Sequence, residues 1–199
     1  MVVSQSKLPD DISTRLTLDE YRAMEKNNPE RHEYRNGEIF TMSGGSEIHS
    51  LIASNFLIYL GFLLRDTDFR LYGSDLRLWI PDYQCGTYAD VMVINGEPAL
   101  NGDRQDEILN PILIVEVLSP STEAYDRGDK FRKYRSLSSF CEYLLVSQTE
   151  PYIEQYHNLD RDSNDFWQWQ DHSHLEQAVF LNCLNVEIPL SEIYRRIRF

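Results

Sequence analysis

A single acidic residue, Glu116, interrupts an otherwise apolar stretch at positions 111–118. A short run of β-branched and aliphatic residues that ends at Ser119-Pro120 is typical of a strand covered on both faces. Burying a carboxylate in such a strand costs several kcal/mol unless a cation or a hydrogen-bond donor compensates it. We therefore expect Glu116 to reach a site that holds positive charge. The alternative is that Glu116 lies at the exposed end of the strand and pairs with an arginine.

A second acid, Asp90, interrupts the strand-like segment T-Y-A-D-V-M-V-I that precedes the Glu116 strand in the chain. Sequential strands are neighbours about two-thirds of the time, so both carboxylates are expected on one face near the edge of the sheet. Two carboxylates within ~4–6 Å of each other repel, and a divalent cation is the usual remedy. Oxygen ligands without a cysteine, and with at most one nearby histidine, point to Mg²⁺ or Mn²⁺.

A lysine, Lys130, stands on the helix that the sequence predicts over residues 126–137, directly after the Glu116 strand. Lys130 is four residues from both Asp126 and Tyr134, so the three side chains share one stripe of that helix. Its ammonium could point at the carboxylate pair and stabilise an anionic transition state. The alternative, which helical spacing favours equally, is a surface pair between Asp126 and Lys130 worth about 0.3–0.5 kcal/mol.

The N-terminal elements follow from short-range signals. Thr17 stands three residues before Glu20, which is the capping-box spacing at the start of a short helix. Asn36-Gly37 predicts a β-hairpin with arms at 31–35 and 38–42. These elements precede the segments that carry the candidate acids.

The middle and the end of the chain alternate between helical and strand periodicity. A helix capped by Ser46 and running to about residue 65 has apolar residues at helical spacing, so it is expected to be heavily buried. Residues 69–80 alternate as a half-buried strand with Arg77 and Trp79 on its polar face, and residues 87–94 form its return strand. Further strands are predicted at 142–147, 152–157, 166–170 and 177–181, a polar turn at 159–165, and a short helix near residue 189.

Length and composition favour one α/β domain with a sizeable core, since the chain has 199 residues, 42% of them hydrophobic and 12% aromatic. We expect a flexible segment at 1–15 and a single domain at 16–199. No apolar run approaches the ~20 residues of a membrane span, and no secretory signal is evident. Three widely spaced cysteines fit the reducing cytoplasm. The net charge of −13 counts against strong, unassisted nucleic-acid binding and leaves room for a local basic patch or a metal-balanced acidic site.

Several longer segments resemble one known family. They are Y-A-D-V-M-V-I, N-P-I-L-I-V-E-V-L-S-P-S-T-E-A-Y-D-R-G-D-K-F-R-K-Y and E-Y-L-L-V-S-Q, with E-Y-R-N-G-E-I-F-T-M-S-G-G-S-E-I-H and S-D-L-R-L before them. These segments look like the Uma-type family of endonucleases, within the PD-(D/E)XK, restriction endonuclease-like superfamily. The resemblance covers about residues 17–195. It implies an α/β fold with a restriction endonuclease-like core, a mixed β-sheet flanked by helices, an N-terminal hairpin and a C-terminal β extension.

The resemblance also implies an activity, a Mg²⁺- or Mn²⁺-dependent endonuclease that hydrolyses phosphodiester bonds in DNA. By position, Asp90 and Glu116 would hold the metal ion, and Lys130 would orient or help activate the attacking water. A homodimer is expected, because nucleases of this fold that cut both strands need two sites.

Two further sets of residues fall near the proposed site. Glu33, Glu38 and His49 lie in family segments and could reach the same cavity, although a hairpin salt bridge, a turn-flanking acid and a helix-cap neighbour are the favoured roles. Arg127 and Lys133 belong to a basic cluster that borders the site and could meet phosphates. The same cluster fits an ordinary solvated helix face equally well.

The sequence departs from the superfamily pattern at two places. The literal Pro-Asp pair is Pro81-Asp82, which sits in a predicted turn, whereas Asp90 follows Ala89. Leu118 stands where the E-x-K motif has its lysine, so Lys130 can substitute only if its helix brings it within reach. Two alternatives therefore stay open: a catalytically weak or inactive nuclease-fold protein that acts as a binding or scaffold module, and a metal-dependent phosphoesterase on small substrates.

Overall fold

The structure is a computed structural model that describes residues 15–42, 44–160 and 166–199. The predicted flexible segment at 1–15 lies outside the described residues except for Arg15, and the predicted polar turn at 159–165 lies outside them except for its first two residues. Within the described residues the strands form a five-stranded sheet, a six-stranded sheet and a separate two-stranded hairpin.

The helices and strands have the following bounds. The helices are α1 (Leu18–Asn27), α2 (Glu47–Leu64), α3 (Glu123–Tyr125), α4 (Phe131–Tyr134) and α5 (Leu190–Ile193), and a π-helical turn, Asp126–Lys130, joins α3 to α4. The strands are β1 (His32–Arg35), β2 (Glu38–Thr41), β3 (Phe69–Gly73), β4 (Arg77–Ile80), β5 (Cys85–Thr87), β6 (Val91–Asn95), β7 (Glu107–Ile108), β8 (Leu113–Val117), β9 (Glu142–Val146), β10 (Ile153–Asn158), β11 (Trp167–His172), β12 (Ala178–Leu181) and β13 (Val186–Pro189).

The six-stranded sheet has the order β11-β10-β9-β8-β6-β3 and carries the core of the molecule. Its strands β8 and β9 are parallel, and the other neighbours in the sheet are antiparallel. Helix α2 packs on one face, and α4 with the π-helical turn packs on the other. The expected mixed sheet flanked by helices is confirmed, and so are the hairpin of β1 with β2 and the capping box of α1.

Strand β8 is buried along its whole length, as its apolar sequence predicts. Its side chains alternate: Leu113, Val115 and Val117 face the α2 side, while Ile114 faces the α4 side. Glu116 comes two residues after Ile114, so its side chain lies on the same face of β8. It points toward α4, into a layer that is otherwise aromatic and aliphatic.

Helix α2 is both a core element and the support for one edge of a cleft. Ile52, Phe56 and Leu60 are fully buried, whereas Ile58 and Phe62 are 72% and 60% exposed. The helix is therefore less buried overall than its sequence suggested. Its bounds agree with the predicted helix that Ser46 caps and that runs to about residue 65. Its 18 residues pass the length and hydropathy test for a membrane span, with 28% of them buried inside the protein. In this fold its buried stripe packs against the central sheet.

The predicted strand over 69–80 is wrong as a single element. It divides into β3, at the edge of the six-stranded sheet, and β4, inside the five-stranded sheet of order β2-β1-β5-β4-β7. Arg77 and Trp79 are 5% and 3% exposed, so the predicted polar face of β4 is buried. The physical reason is the partner of Arg77: its guanidinium pairs with Glu107 of β7 at 2.9 Å, and Glu107 is fully buried.

The predicted return strand over 87–94 also divides. Strand β5 ends at Thr87 and joins the five-stranded sheet, while β6 begins at Val91 and joins the six-stranded sheet. Asp90 lies at the bend directly before β6, not inside a strand. The chain crosses between the two sheets at this point, which leaves the Asp90 carboxylate at the end of the sheet, where it faces solvent on one side.

The predicted helix over 126–137 begins earlier and is interrupted. Helical structure starts at Glu123, widens into the π-helical turn from Asp126 to Lys130 and ends at Tyr134. π-Helical turns inside α-helices are rare and are frequent at functional sites. At the other end of the chain, β13 pairs with β12 and forms the C-terminal β extension, although only β12 was predicted.

Candidate active site

The candidate residues border a cleft with a volume of about 1230 Å³. Its walls come from the start of α2, the bend before β6, the end of β8, the loop that follows β8, and the π-helical turn. Asp90, Glu116, Asp126, Lys130 and His49 all line this cleft. The site thus lies where the two larger sheets meet.

Asp90 is held by one contact on each carboxylate oxygen. Its Oδ1 lies 2.9 Å from Nε2 of His49, and its Oδ2 accepts a hydrogen bond of 2.7 Å from the backbone N–H of Val117. The second bond ties Asp90 to the strand position directly after Glu116. The hydrogen bond that the imidazole makes to the Asp90 carboxylate, which is the largest cause, raises the pKa of His49 above its usual value.

His49 lies in the first turn of α2, where the Ser46 hydroxyl accepts a hydrogen bond of 3.1 Å from its backbone N–H. The predicted cap is therefore present, and the imidazole also reaches Asp90. The loop before the helix passes close over the ring: a Cβ at Gly45 would lie 2.8 Å from Cδ2 of His49. Glycine is therefore needed at position 45 for the ring to stay where it is.

Glu116 and Lys130 form a buried ion pair with 2.8 Å between Oε1 and Nζ. They are 3% and 6% exposed. The hydroxyl of the fully buried Tyr134 donates a hydrogen bond of 2.7 Å to the same Oε1. The expectation that the Glu116 carboxylate meets a positive charge is met by a lysine from the following helix, and the alternative pairing with an arginine is not observed among the described contacts of Glu116.

For Asp126 the sequence left a surface pair with Lys130 open as an equal alternative, and the structure decides against it. Asp126 is 2% exposed, and its Oδ1 lies 3.4 Å from Nζ of Lys130, so the pair is buried and not on the surface. The surface-pair alternative assumed that this helix face is open to solvent. Helical spacing alone carries no information about what packs on a face, and here Tyr143 and the central sheet cover it.

The site carries an excess of negative charge. Burial, and to a smaller extent the neighbouring Asp126 and Asp90 carboxylates, raise the pKa of Glu116 to about 8 against the opposing effect of Lys130. Burial opposes the charge on Lys130, but Glu116 and Asp126 hold its pKa well above the usual value. The ammonium therefore stays protonated at neutral pH, with the Glu116 and Asp126 carboxylates beside it.

This donor set fits a hard divalent cation. Among the described residues, no group of three or more His, Cys, Asp or Glu side chains is arranged to hold a metal ion by itself. Mg²⁺ does not need such a cage, because it keeps several waters and is commonly bound through one or two carboxylates. Asp90 and Glu116 supply two carboxylates at the cleft, and a cation bound there would balance the charge that burial, first, and the Asp126 and Asp90 carboxylates, second, make unfavourable on Glu116.

The two other acids from the sequence analysis lie elsewhere. Glu33 is buried outside the residues that line the cleft, where Arg35 donates to it at 2.9 Å and Tyr125 also donates a hydrogen bond. Glu38 is on β2 and pairs with Arg15 at 3.6 Å. The favoured hairpin salt bridge of Glu33 is thus present.

Arg127 and Lys133, for which the sequence left phosphate contact and an ordinary helix face equally open, are not among the residues that line the cleft. Arg127 forms ion pairs with Glu123, at 3.0 Å, and with Glu154. Lys133 is buried and donates a hydrogen bond of 2.9 Å to the hydroxyl of Tyr125. These contacts already occupy both basic groups.

Sequence reasoning missed two supporting contacts. The backbone carbonyl of Tyr88 lies 3.5 Å from Nζ of Lys130. The pattern of side chains in the sequence does not predict where a backbone carbonyl will lie. Tyr134 was placed in the core, and its hydroxyl turned out to bind Glu116. A buried tyrosine usually finds a partner for its hydroxyl, which is the signal that could have predicted this bond.

Comparisons with known proteins agree with this fold. The family model Uma2, described as "Putative restriction endonuclease", matches residues 18–191. Two relatives from Synechocystis sp. strain PCC 6803 are similar along most of their length. The protein slr1290, named as uncharacterized, is 37% identical over 187 residues, covering 93% of this chain and 94% of its own. The protein sll1609, also named as uncharacterized, is 35% identical over 159 residues, covering 80% and 86%.

A solved structure shares the fold. It is described as a "putative nuclease belonging to DUF820" from Anabaena variabilis, and it superimposes with a TM-score of 0.69 over 90% of this chain and 97% of its own at 16% identity. The family match and the shared architecture lead to one statement of identity. The chain belongs to the Uma2 family and has the restriction endonuclease-like α/β fold.

Proposed function

We propose that this protein is a Mg²⁺- or Mn²⁺-dependent endonuclease that hydrolyses phosphodiester bonds in DNA. The observation that carries the proposal is the meeting of Asp90, Glu116 and Lys130 at one cleft, with 2.8 Å between Glu116 and Lys130 and 2.7 Å between Asp90 and the backbone N–H of Val117. Membership in a family described as restriction endonucleases supports the same chemistry.

Each residue of the site has a distinct task in this proposal. Asp90 and Glu116 would hold the divalent ion, and His49 fixes the orientation of the Asp90 carboxylate. A bound Mg²⁺ or Mn²⁺ would lower the pKa of a water molecule and stabilise the leaving oxygen. Lys130 is held protonated beside Glu116, where it would orient the attacking water and stabilise negative charge on the phosphate.

The direct test is plasmid nicking in Mg²⁺ or Mn²⁺ by wild type, Glu116→Gln and Lys130→Met. We expect each variant to lose about 100-fold or more in rate, because each removes a group that acts on the reacting atoms. Glu97→Gln is the control, since Glu97 is an exposed partner of Arg70 outside the cleft. Titration calorimetry with Mn²⁺ gives a second readout, in which Glu116→Gln weakens binding and Glu97→Gln does not.

Two outcomes would overturn the proposal. If wild type and Glu116→Gln nick plasmid at the same rate, the Glu116 carboxylate takes no part in the reaction. No nicking with either metal would favour the alternative in which this fold serves as a binding or scaffold module.

A second candidate function is phosphodiester hydrolysis on short substrates. The observation that favours it is the scarcity of free cations: among the described residues that line the cleft, the basic side chains are Arg31 and Lys130. Arg31 pairs with Asp75, and Lys130 pairs with Glu116 and Asp126. A substrate such as bis(p-nitrophenyl) phosphate, hydrolysed much faster than plasmid is nicked, would select this candidate.

The proposal includes a homodimer in the cytoplasm. The exposed apolar side chains of Ile58 and Phe62 on α2 offer a surface that a second copy could cover, and the cysteines Cys85, Cys141 and Cys183, which form no disulfide, suit a reducing compartment. Light scattering after size-exclusion chromatography tests the first part: a monomer at all concentrations would contradict it.

A further inference from the structure

We propose that Asp126 is a positioning residue: it holds the Lys130 ammonium between two carboxylates, so that Lys130 faces the cleft and does not close on Glu116 alone. The inference rests on the proposed function, because it concerns how Lys130 serves that reaction. Neither the family resemblance nor the superfamily motif assigns a task to this position.

The contacts of Nζ carry the argument. A lysine ammonium has three N–H donors, and Lys130 has three oxygen acceptors around it. Oε1 of Glu116 is at 2.8 Å, Oδ1 of Asp126 at 3.4 Å and the carbonyl oxygen of Tyr88 at 3.5 Å. The short contact anchors the ammonium. The two longer contacts set its direction, and they are weak enough to be exchanged for an oxygen of the substrate.

The backbone of Asp126 is hydrogen-bonded, whereas its carboxylate has Lys130 as its described ion-pair partner. Its backbone N–H donates to Thr122 at 2.9 Å, and its carbonyl accepts a hydrogen bond of 3.1 Å from the fully buried Tyr143. Its side-chain Oδ1 is buried and has no hydrogen-bond partner, so the Lys130 ammonium is the described group that compensates it. Burying a carboxylate is costly, and this one lines the cleft.

The π-helical turn explains the placement. Asp126 is its first residue and Lys130 its last, and both are buried. Asp129 lies in the same turn but points to solvent, with its side chain 64% exposed and paired with Arg132 at 3.0 Å. Asp129 therefore provides a matched control, since it is the same residue type in the same turn without contact to Lys130.

The test is a double-mutant cycle on plasmid nicking. We expect Asp126→Asn to lower kcat by about 10- to 100-fold with KM changed less than about threefold, because a misdirected ammonium weakens transition-state stabilisation and leaves substrate binding intact. Asp129→Asn should stay within about twofold of wild type. Asp126→Glu should recover part of the loss, since its carboxylate can still reach Nζ.

The decisive arm is the Lys130→Met background. If Asp126 acts through Lys130, adding Asp126→Asn to Lys130→Met produces no further loss of kcat, whereas a general structural role gives losses that multiply. The double variant removes both charges of the pair, so it keeps the test usable if Asp126→Asn alone does not fold.

The failures of the two proposals can be told apart. Suppose that wild type is active. If the losses of kcat from Asp126→Asn and Lys130→Met multiply, or if Asp129→Asn lowers kcat as much as Asp126→Asn, the role of Asp126 is overturned and the nuclease proposal stands. Wild type that nicks with neither metal overturns both.

Discussion

Asp90 divides its two carboxylate oxygens between a side chain and the backbone. One oxygen faces His49 and the other binds the N–H of Val117, so its orientation is set from two directions. Glu116 is held at one oxygen, Oε1, which contacts both Tyr134 and Lys130. The acids are therefore oriented before any ion or substrate arrives, which is the condition under which electrostatic stabilisation costs no reorganisation.

The buried Glu116 carboxyl predicts a pH dependence of stability. Its pKa is raised from 4.5 to about 8, so the folded protein binds this proton more tightly than the unfolded chain does. The resulting stabilisation is complete below pH about 4.5 and is lost as the pH rises through about 8. In buffer with a chelator, we expect the free energy of unfolding of wild type to fall relative to Glu116→Gln over this range, by an amount on the order of a few kcal/mol. Urea unfolding at several pH values measures the difference, and parallel curves for the two proteins would contradict it.

The contact between Gly45 and His49 predicts a local effect on catalysis. Gly45→Ala would place its Cβ 2.8 Å from the imidazole and push the ring away from Asp90. We expect kcat for DNA nicking to fall about tenfold or more. Gly44→Ala is the matched control, since a Cβ there meets nothing within 4 Å. Equal rates for the two variants would show that the position of His49 does not matter to the reaction.

The residues that meet at the cleft were predictable where local periodicity decides their direction. Alternation along β8 points Glu116 to one face, and spacing on the following helix points Lys130 and Tyr134 at it. The burial of Asp126 was not predictable in this way, because it depends on what packs over the helix. The carbonyl of Tyr88 was beyond sequence reasoning, since every residue type offers the same backbone acceptor.

At the scale of elements, a buried ion network joins β4 to β7 beneath the cleft. The Glu107 carboxylate forms ion pairs with the guanidinium groups of Arg22, at 2.7 Å, and Arg77, at 2.9 Å. Arg77 also donates to the hydroxyl of Tyr88 at 3.2 Å, and the carbonyl of Tyr88 lies beside Lys130. The five-stranded sheet thus supports the segment that leads into Asp90.

Removing the acid at the centre of this network should destabilise the fold. Glu107→Gln removes from the buried Arg77 its nearest carboxylate, and we expect a loss of roughly 3–5 kcal/mol in the free energy of unfolding. Glu97→Gln removes an exposed ion pair with Arg70 and should cost less than about 1 kcal/mol. Chemical denaturation of both variants gives the comparison, and similar losses for the two would refute a stabilising role for the buried network.

The same network explains why the strand prediction over 69–80 failed. Alternation marks a strand but does not say which sheet it joins, and a buried Arg77 looks like an exposed arginine until its partner, 30 residues later, is known. Elements with strong local signals were predicted well: the capping box of α1, the Asn36-Gly37 hairpin and the cap of α2 are all present. The π-helical turn has no such signal.

At the scale of the whole molecule, the negative charge of −13 and the occupied basic groups limit how DNA can be held. The basic side chains at the cleft among the described residues are Arg31 and Lys130, and both are paired with acids. Few phosphate contacts mean that few counterions are released on binding.

DNA binding should therefore depend weakly on salt. We expect a plot of the logarithm of the association constant against the logarithm of the salt concentration to have a slope shallower than about −2, because the slope scales with the number of phosphates neutralised. Fluorescence anisotropy with metal removed measures it, and Arg31→Ala should change the slope by less than about 0.5. A slope steeper than about −4 would contradict this expectation and indicate phosphate contacts outside the cleft. The basic cluster near the C-terminus of the sequence, Arg195, Arg196 and Arg198, would then be the candidate.

The bond between Asp90 and the backbone of β8 has an evolutionary consequence. Asp90 serves the pairing of two chain segments in addition to its role in the proposed reaction, so selection for folding would preserve it even in a lineage that lacks nuclease activity. His49 touches Asp90 and has no comparable duty in the sheet. Descendants that have abandoned catalysis are therefore expected to keep the aspartate and to drift first at the histidine, which makes position 49 the better marker of a working homologue.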